Sequence, residues 1–231
     1  MSNKAIYNEE KMHQLVALGL RDQVWMKNYL EQRDIFVKEI PIFINNGNIS
    51  AVVHGMERFM KLPGVLRVAL QQLINAFEDD SKQEYDLILL KMKLQQTDFI
   101  HLTKEMLQLY TGKHEMDIHI KCFKLFEQGP ICFASCIEII LNSMENLTKY
   151  EHAGYQMVAL RALRAVTCGI YAGKKNVLES LEIWKDSKGS EQRLGGMDIL
   201  YETFRRFKNN SQVTSSAKNL LDDLNSIGFV C

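Results

Sequence analysis

The sequence predicts an all-α protein built as a stack of about a dozen short helices. Three observations lead there. Apolar residues recur at three- and four-residue steps along almost the whole chain, the spacing that gathers them on one helix face. The strict alternation that marks a strand is nearly absent. The segments between periodic stretches are short polar turns, and many short helices suit a stack better than a four-helix bundle, which uses fewer and longer rods.

Composition sets the outer bounds. The 231 residues are 46% hydrophobic and 24% charged, the balance of a soluble globular protein and not of a disordered or fibrous one. That length allows one large domain or two small ones. The 28 basic and 28 acidic residues cancel, which argues against a general nucleic-acid binder, since such a protein needs surplus cations to displace counterions from phosphates. Met1 to Tyr7 lacks the basic head and apolar core of a secretory signal. The most apolar stretch, Ile131 to Leu141, contains Glu138 and is too short to span a bilayer. Cys231 is last, whereas prenylation needs cysteine fourth from the end. Four of the five cysteines sit in apolar segments, which points to reduced thiols packed as small hydrophobes. The expected compartment is cytoplasmic or nuclear.

The elements follow in order. Met12, Leu15, Val16, Leu18, Val24, Trp25, Tyr29 and Leu30 keep helical spacing, with Asn8 placed to cap the start and Glu9 and Glu10 near the positive helix end. A second, shorter helix is expected over Asp34 to Ile44, interrupted by Pro41 unless that residue lies in a first turn. Asn45-Asn46-Gly47-Asn48 is a break rich in residues that accept left-handed backbone. Ile49 to Met60 is a helix with Val52, Val53 and Met56 on its apolar face, and Leu62-Pro63-Gly64 turns the chain into a strongly apolar helix, Val65 to Phe77. Ser81 or Asp80 is placed to cap the next. Further helices are predicted over 83–94, 97–110, 115–127, 131–146, 151–168, 174–185, 190–207 and 212–226. Thr97 with Asp98, and Ser190 with Glu191, supply helix-start chemistry. No Pro, Gly and Ser linker divides the chain, so residues 1–44 are read as helices capping the stack and 45–231 as its repeats, in one continuous domain.

Internal similarity supports a repeat. Ala69-Leu70-Gln71-Gln72-Leu73 lines up with Ala159-Leu160-Arg161-Ala162-Leu163, and Ala217 to Leu224 and Cys122 to Phe126 echo both. Ala69 and Ala159 stand 90 residues apart, about two repeats of the 40–47 residues typical of helical-repeat proteins. Leu70, Leu73, Leu160 and Leu163 are expected in the core. With Asn46-Gly47-Asn48-Ile49-Ser50-Ala51-Val52-Val53 followed by Ala69-Leu70-Gln71-Gln72-Leu73-Ile74-Asn75, the chain resembles the armadillo and HEAT family. The resemblance implies a right-handed superhelical stack whose third helices line a concave groove, where a recurring asparagine holds the backbone of an extended peptide. Asn75 matches that asparagine, while Ala165 and Asp223 stand at the corresponding places. The regular ladder is missing, so a partner helix or folded domain is expected in place of a long extended peptide.

Candidate chemistry is sparse. His114 and His119 are five apart, not the four that a metal-protease helix needs to bring both to one face, and surface histidines are expected. His119, Cys122, Cys132 and Cys136 form an alternative zinc set, with each pair at a spacing that shares a helix face. Their neighbours Ile118, Phe123, Phe133 and Ile137 favour plain burial in a core. Gly195-Gly196 falls in a helical pattern and not after a strand, which speaks for close packing or a kink. No nucleophile elbow or kinase set is present. An acid-free stretch from His152 to Leu178 carries Arg161, Arg164, Lys174 and Lys175 with Tyr155 and Tyr171 interleaved, and Arg205, Arg206 and Lys208 form a further cluster. Against an ordinary solvated face stands a basic strip meeting an acidic partner or phosphates.

The sequence is therefore read as a non-enzymatic protein–protein interaction module, a scaffold, adaptor or regulatory subunit with no cofactor. Gln71, Gln72, Asn75, Arg161, Arg164 and Arg205 are its candidate partner-binding residues. Eleven methionines suit either an adaptable surface or gap filling in a helical core. Terminal repeats can cap the stack or pair with another copy. The alternative is an all-helical, nucleocapsid-like RNA-binding protein.

Overall fold

A computed structural model describes residues 23–128, 134–147, 150–168 and 196–226. All regular structure among them is helical. The chain forms two compact units that divide between Leu102 and Thr103.

The first helix described in the first unit is α1 (Gln23–Asn45), one helix where the end of one and the whole of another were expected. Pro41 lies inside it and does not end it. The ring removes one backbone donor, and because Pro41 is exposed, water can serve the carbonyl left behind. Helix α1 does stop at the predicted break. Gly47 takes φ +67°, a left-handed turn, and its amide donates to the Ile44 carbonyl at 2.9 Å. The Asn48 side chain then accepts from the Ala51 amide at 3.3 Å, capping α2 (Ile49–Arg58). Pro63 stands in the first turn of α3 (Pro63–Phe77), where its missing donor costs nothing.

Helix α4 (Glu84–Gln95) starts without the expected cap. The Asp79 carboxylate instead accepts from the Ser81 amide and hydroxyl, and Gln83 precedes the helix with no side-chain cap. Thr97, expected to open the next helix, closes this one: its hydroxyl donates to the Leu94 carbonyl at 2.6 Å. Helix α1 packs on α2 and α3, and α2 packs on α3 and α4. Phe36, Ile40, Val52, Met56, Leu70 and Leu73 fill the space between. Gly55 lets α1 and α2 approach closely, since a Cβ there would overlap the Phe36 ring.

Helix α5 (Phe99–Leu109) carries the division between the units. The second unit continues through a short 3-10 turn (Lys113–Glu115) into α6 (Met116–Glu127), α7 (Ala134–Leu147), α8 (Ala153–Cys168), α9 (Gly196–Arg206) and α10 (Ser211–Ser226). Gly196 is helical, the first residue described in α9, and Gly195 before it lies outside the described residues. Helix α8 is central, with α6, α7 and α10 packed against it, and α9 touches α7 and α10. Leu160 and Leu163 are buried as expected, as are Ala159, Ala162, Ala217 and Leu220. The small residues let the helices approach while the leucines fill the interface. The helix expected over 174–185, with Lys174 and Lys175, lies outside the described residues, as do Ser190, Glu191, Gly195 and Asn8.

Candidate functional site

Two features stand out, one in each unit. In the first unit, α4 is apolar on two opposite faces. Leu90 and Leu94 are buried against the unit. Tyr85 is 71% exposed, Met92 50%, Ile88 48% and Leu89 38%. At about 100° per residue these four fall within one stripe, and the buried leucines lie about 140° to 180° around the axis from Tyr85. Burying one face is what holds α4 in the unit, so the second stripe is surplus to the fold. Exposed apolar side chains scattered singly are ordinary, whereas a contiguous set at i, i+3, i+4 and i+7 marks a docking face. The sequence carried the signal: Leu87-Ile88-Leu89-Leu90 runs apolar right round the helix, more than one buried face needs.

In the second unit, a buried polar chain links the end of α5 to α6, α7 and α8. His119 is buried, 1% exposed, which corrects the expectation of a surface histidine; His114 is exposed. Its Nε2 lies 2.5 Å from the Tyr110 carbonyl oxygen and its Nδ1 2.5 Å from Ser143 Oγ. A carbonyl only accepts, so Nε2 carries the proton. Burial lowers the pKa of His119 to about 4, against the Tyr110 carbonyl and the Asp117 charge, which both favour the protonated form. The ring is therefore neutral near pH 7, and Nδ1 accepts from Ser143. Ser143 in turn accepts from the Tyr155 hydroxyl at 2.7 Å. Protons point one way along the chain, and every member has a partner. Tyr155, which the sequence interleaves with the arginines of the acid-free stretch, is fully buried in this core, its ring 5.7 Å from Phe123 and 6.0 Å from His119. Ser143 and His119 make the hydrogen bond of a nucleophile–base pair. The serine is buried, however, and a substrate atom would have to displace the Tyr155 hydroxyl to reach it. The arrangement is a polar latch holding three helices and a loop together.

The alternative metal set is partly visible. Cys122 and Cys136 are fully buried. Burial pushes the Cys122 thiol pKa far up, which keeps it protonated, and both His119 nitrogens already face protein atoms. Cys132 lies outside the described residues. Among the described residues no three His, Cys, Asp or Glu side chains gather as a metal site would require.

The candidate partner-binding residues fall into two sets. On α3, Gln71 and Gln72 are half-buried and Asn75 is exposed, with the Gln71 amide donating to the Asn75 side-chain oxygen at 2.7 Å. On α8 and α9 the arginines are exposed but each meets a carboxylate. Arg161 donates to Glu127 of α6 at 2.8 Å and Arg164 to Asp223 of α10 at 2.6 Å. Arg205 grips Glu202 with two bonds of 2.9 Å, which lowers the Glu202 pKa. Of the two readings of these arginines, a solvated face or a basic strip, each is met by a carboxylate, and the two on α8 tie neighbouring helices to the central one. No helix among the described residues is long and apolar enough to cross a membrane. Comparison with family models, curated proteins and solved structures finds no match to this chain.

Proposed function

We propose that this chain is a non-enzymatic protein–protein interaction module of the armadillo and HEAT type, working as a scaffold, adaptor or regulatory subunit without a cofactor. The observation that carries this reading is the second apolar stripe of α4, formed by Tyr85, Ile88, Leu89 and Met92. A helix already anchored by Leu90 and Leu94 gains nothing in its own unit from that stripe, and a partner covering it gains the transfer of apolar surface from water. The inward Ala-Leu-x-x-Leu faces of α3 and α8 support the helical-repeat part of the reading. The carboxylates on Arg161, Arg164 and Arg205 speak against the RNA-binding alternative, because a phosphate would have to compete for each guanidinium.

The test is affinity purification from the source cell, with and without nuclease, of the natural chain and of Ile88→Asp. The expected result is a protein partner that survives nuclease and is lost from the variant. Nucleic acid at high yield, or recovery unchanged by Ile88→Asp, overturns the reading.

A further inference from the structure

Helix α4 carries four charges beside its exposed stripe, and their arrangement identifies what covers it. At about 100° per residue, Asp86 and Lys93 lie on one flank of the stripe and Glu84 and Lys91 on the other. Each flank thus has an acid near the helix start and a lysine seven residues later. Among the described residues none of the four forms an ion pair within the chain. Glu84 and Asp86 are exposed. Lys91 and Lys93 are half-buried, with the Lys93 ammonium beside the Gly47 turn, where a Cβ would come within 2.3 Å of it. The stripe itself is symmetric about the midpoint between Ile88 and Leu89, with Tyr85 and Met92 equally far on either side.

We propose that α4 pairs with α4 of a second copy of this chain, antiparallel about a two-fold axis through that midpoint. This rests on the reading of the α4 stripe as an interaction face and names its partner. When two helices run antiparallel, each flank faces the same flank of the other copy in reverse order. Asp86 then meets the second copy's lysine at position 93, and Glu84 meets the one at position 91. The apolar residues pair as Tyr85 with Met92 and Ile88 with Leu89. Thioether on aromatic ring is a favourable contact, and such a self-complementary patch is what a two-fold interface requires. A parallel pair sets the opposite flanks side by side, acid against acid and lysine against lysine, so charge selects the antiparallel form. One helix face is small against the roughly 1,600 Å² of a standard interface, so the association is expected to be weak and concentration-dependent.

The test is sedimentation velocity of the full chain over a concentration series. The chain is expected to pass from monomer to dimer, with Ile88→Asp/Met92→Asp weakening the association at least tenfold. Two further variants isolate the charges. Lys91→Glu/Lys93→Glu carries four acids and Glu84→Lys/Asp86→Lys four lysines, and each alone is expected to stay monomeric. Mixed in equal amounts, the two are expected to form a one-to-one heterodimer that weakens with added salt. All the substituted side chains except the two lysines are exposed, and circular dichroism of each variant checks that it folds. A chain that is monomeric at every concentration overturns the proposal, whether residues 1–22 or another protein cover the stripe. So does a dimer that survives Ile88→Asp/Met92→Asp, or a mixture that stays monomeric. A different partner captured through Ile88 by a monomeric chain overturns self-pairing alone and leaves the interaction-module reading standing.

Discussion

Ser143 is the residue on which the buried polar chain turns, because it accepts from Tyr155 and donates to His119. Ser143→Ala strands both neighbours in the core, and an orphaned buried polar group costs about 1–3 kcal/mol. Tyr155→Phe removes only a donor and leaves Ser143 bonded to His119. Denaturant titration should therefore rank Ser143→Ala, at about 2–3 kcal/mol lost, above Tyr155→Phe, at about 1 kcal/mol. A reversed order would mean that Ser143 is not the member on which the network depends. His119 adds a pH dependence. Its pKa is about 4 in the folded chain against 6.5 when unfolded, so between those values the unfolded state binds the extra proton. Stability falls as pH drops through that window, by about 1.4 kcal/mol per unit and about 3 kcal/mol in all. His119→Gln keeps a donor and an acceptor but does not titrate. Its stability deficit should shrink as pH falls from 6.5 toward 4, and a constant deficit would place the titration elsewhere. The chemistry of this site was only partly legible from sequence. His119, Cys122, Phe123 and Phe126 share a helix face at i, i+3, i+4 and i+7, which is readable as a buried stripe. That Ser143 and Tyr155 close the network depends on helix packing, which no local spacing encodes.

Among the elements, α1 and α2 show how close approach and backbone chemistry divide the work. Gly55→Ala drives a methyl into the Phe36 ring. Its steric cost outweighs the roughly 0.5–1 kcal/mol that alanine gains over glycine within a helix. The expected result is a net loss of about 1–3 kcal/mol, read as a lowered thermal midpoint; a raised midpoint would show that the ring moves aside freely. Pro41→Ala goes the other way. It restores a donor in the C-terminal part of a long helix, four residues before its last, at an exposed position, and stability should rise by up to about 3 kcal/mol. An unchanged midpoint would mean that α1 already frays there. Helix positions were legible because the 3.6-residue period of apolar residues is local. Starts and stops were less so, since in the folded chain the Thr97 hydroxyl turns back to the Leu94 carbonyl and Ser81 donates to the Asp79 carboxylate, and neither caps the helix that follows. Pro41 was misread because an exposed helix tolerates a missing hydrogen bond that a buried one does not.

Across the whole molecule, each unit has its own core, around Met56 and Leu70 in one and around Phe123 and Leu163 in the other. Hydrogen exchange should show the effect of Gly55→Ala concentrated in α1 to α3 and that of Ser143→Ala in α6 to α8. Equal loss of protection in both would show that the units open together. The sequence by itself determined the helical class, the order of the helices and the inward alanines and leucines of α3 and α8, because these follow from local periodicity and side-chain volume. Tertiary structure decided which of several apolar faces is buried. Both faces of α4 are oily, and only the packing of α2 against it leaves Tyr85, Ile88, Leu89 and Met92 in water. It also decided that Arg161 and Arg164 meet Glu127 and Asp223, which stand 34 and 59 residues away along the chain. Pairings at that separation depend on where the helices are carried in space, and the pattern within any one helix holds no record of it.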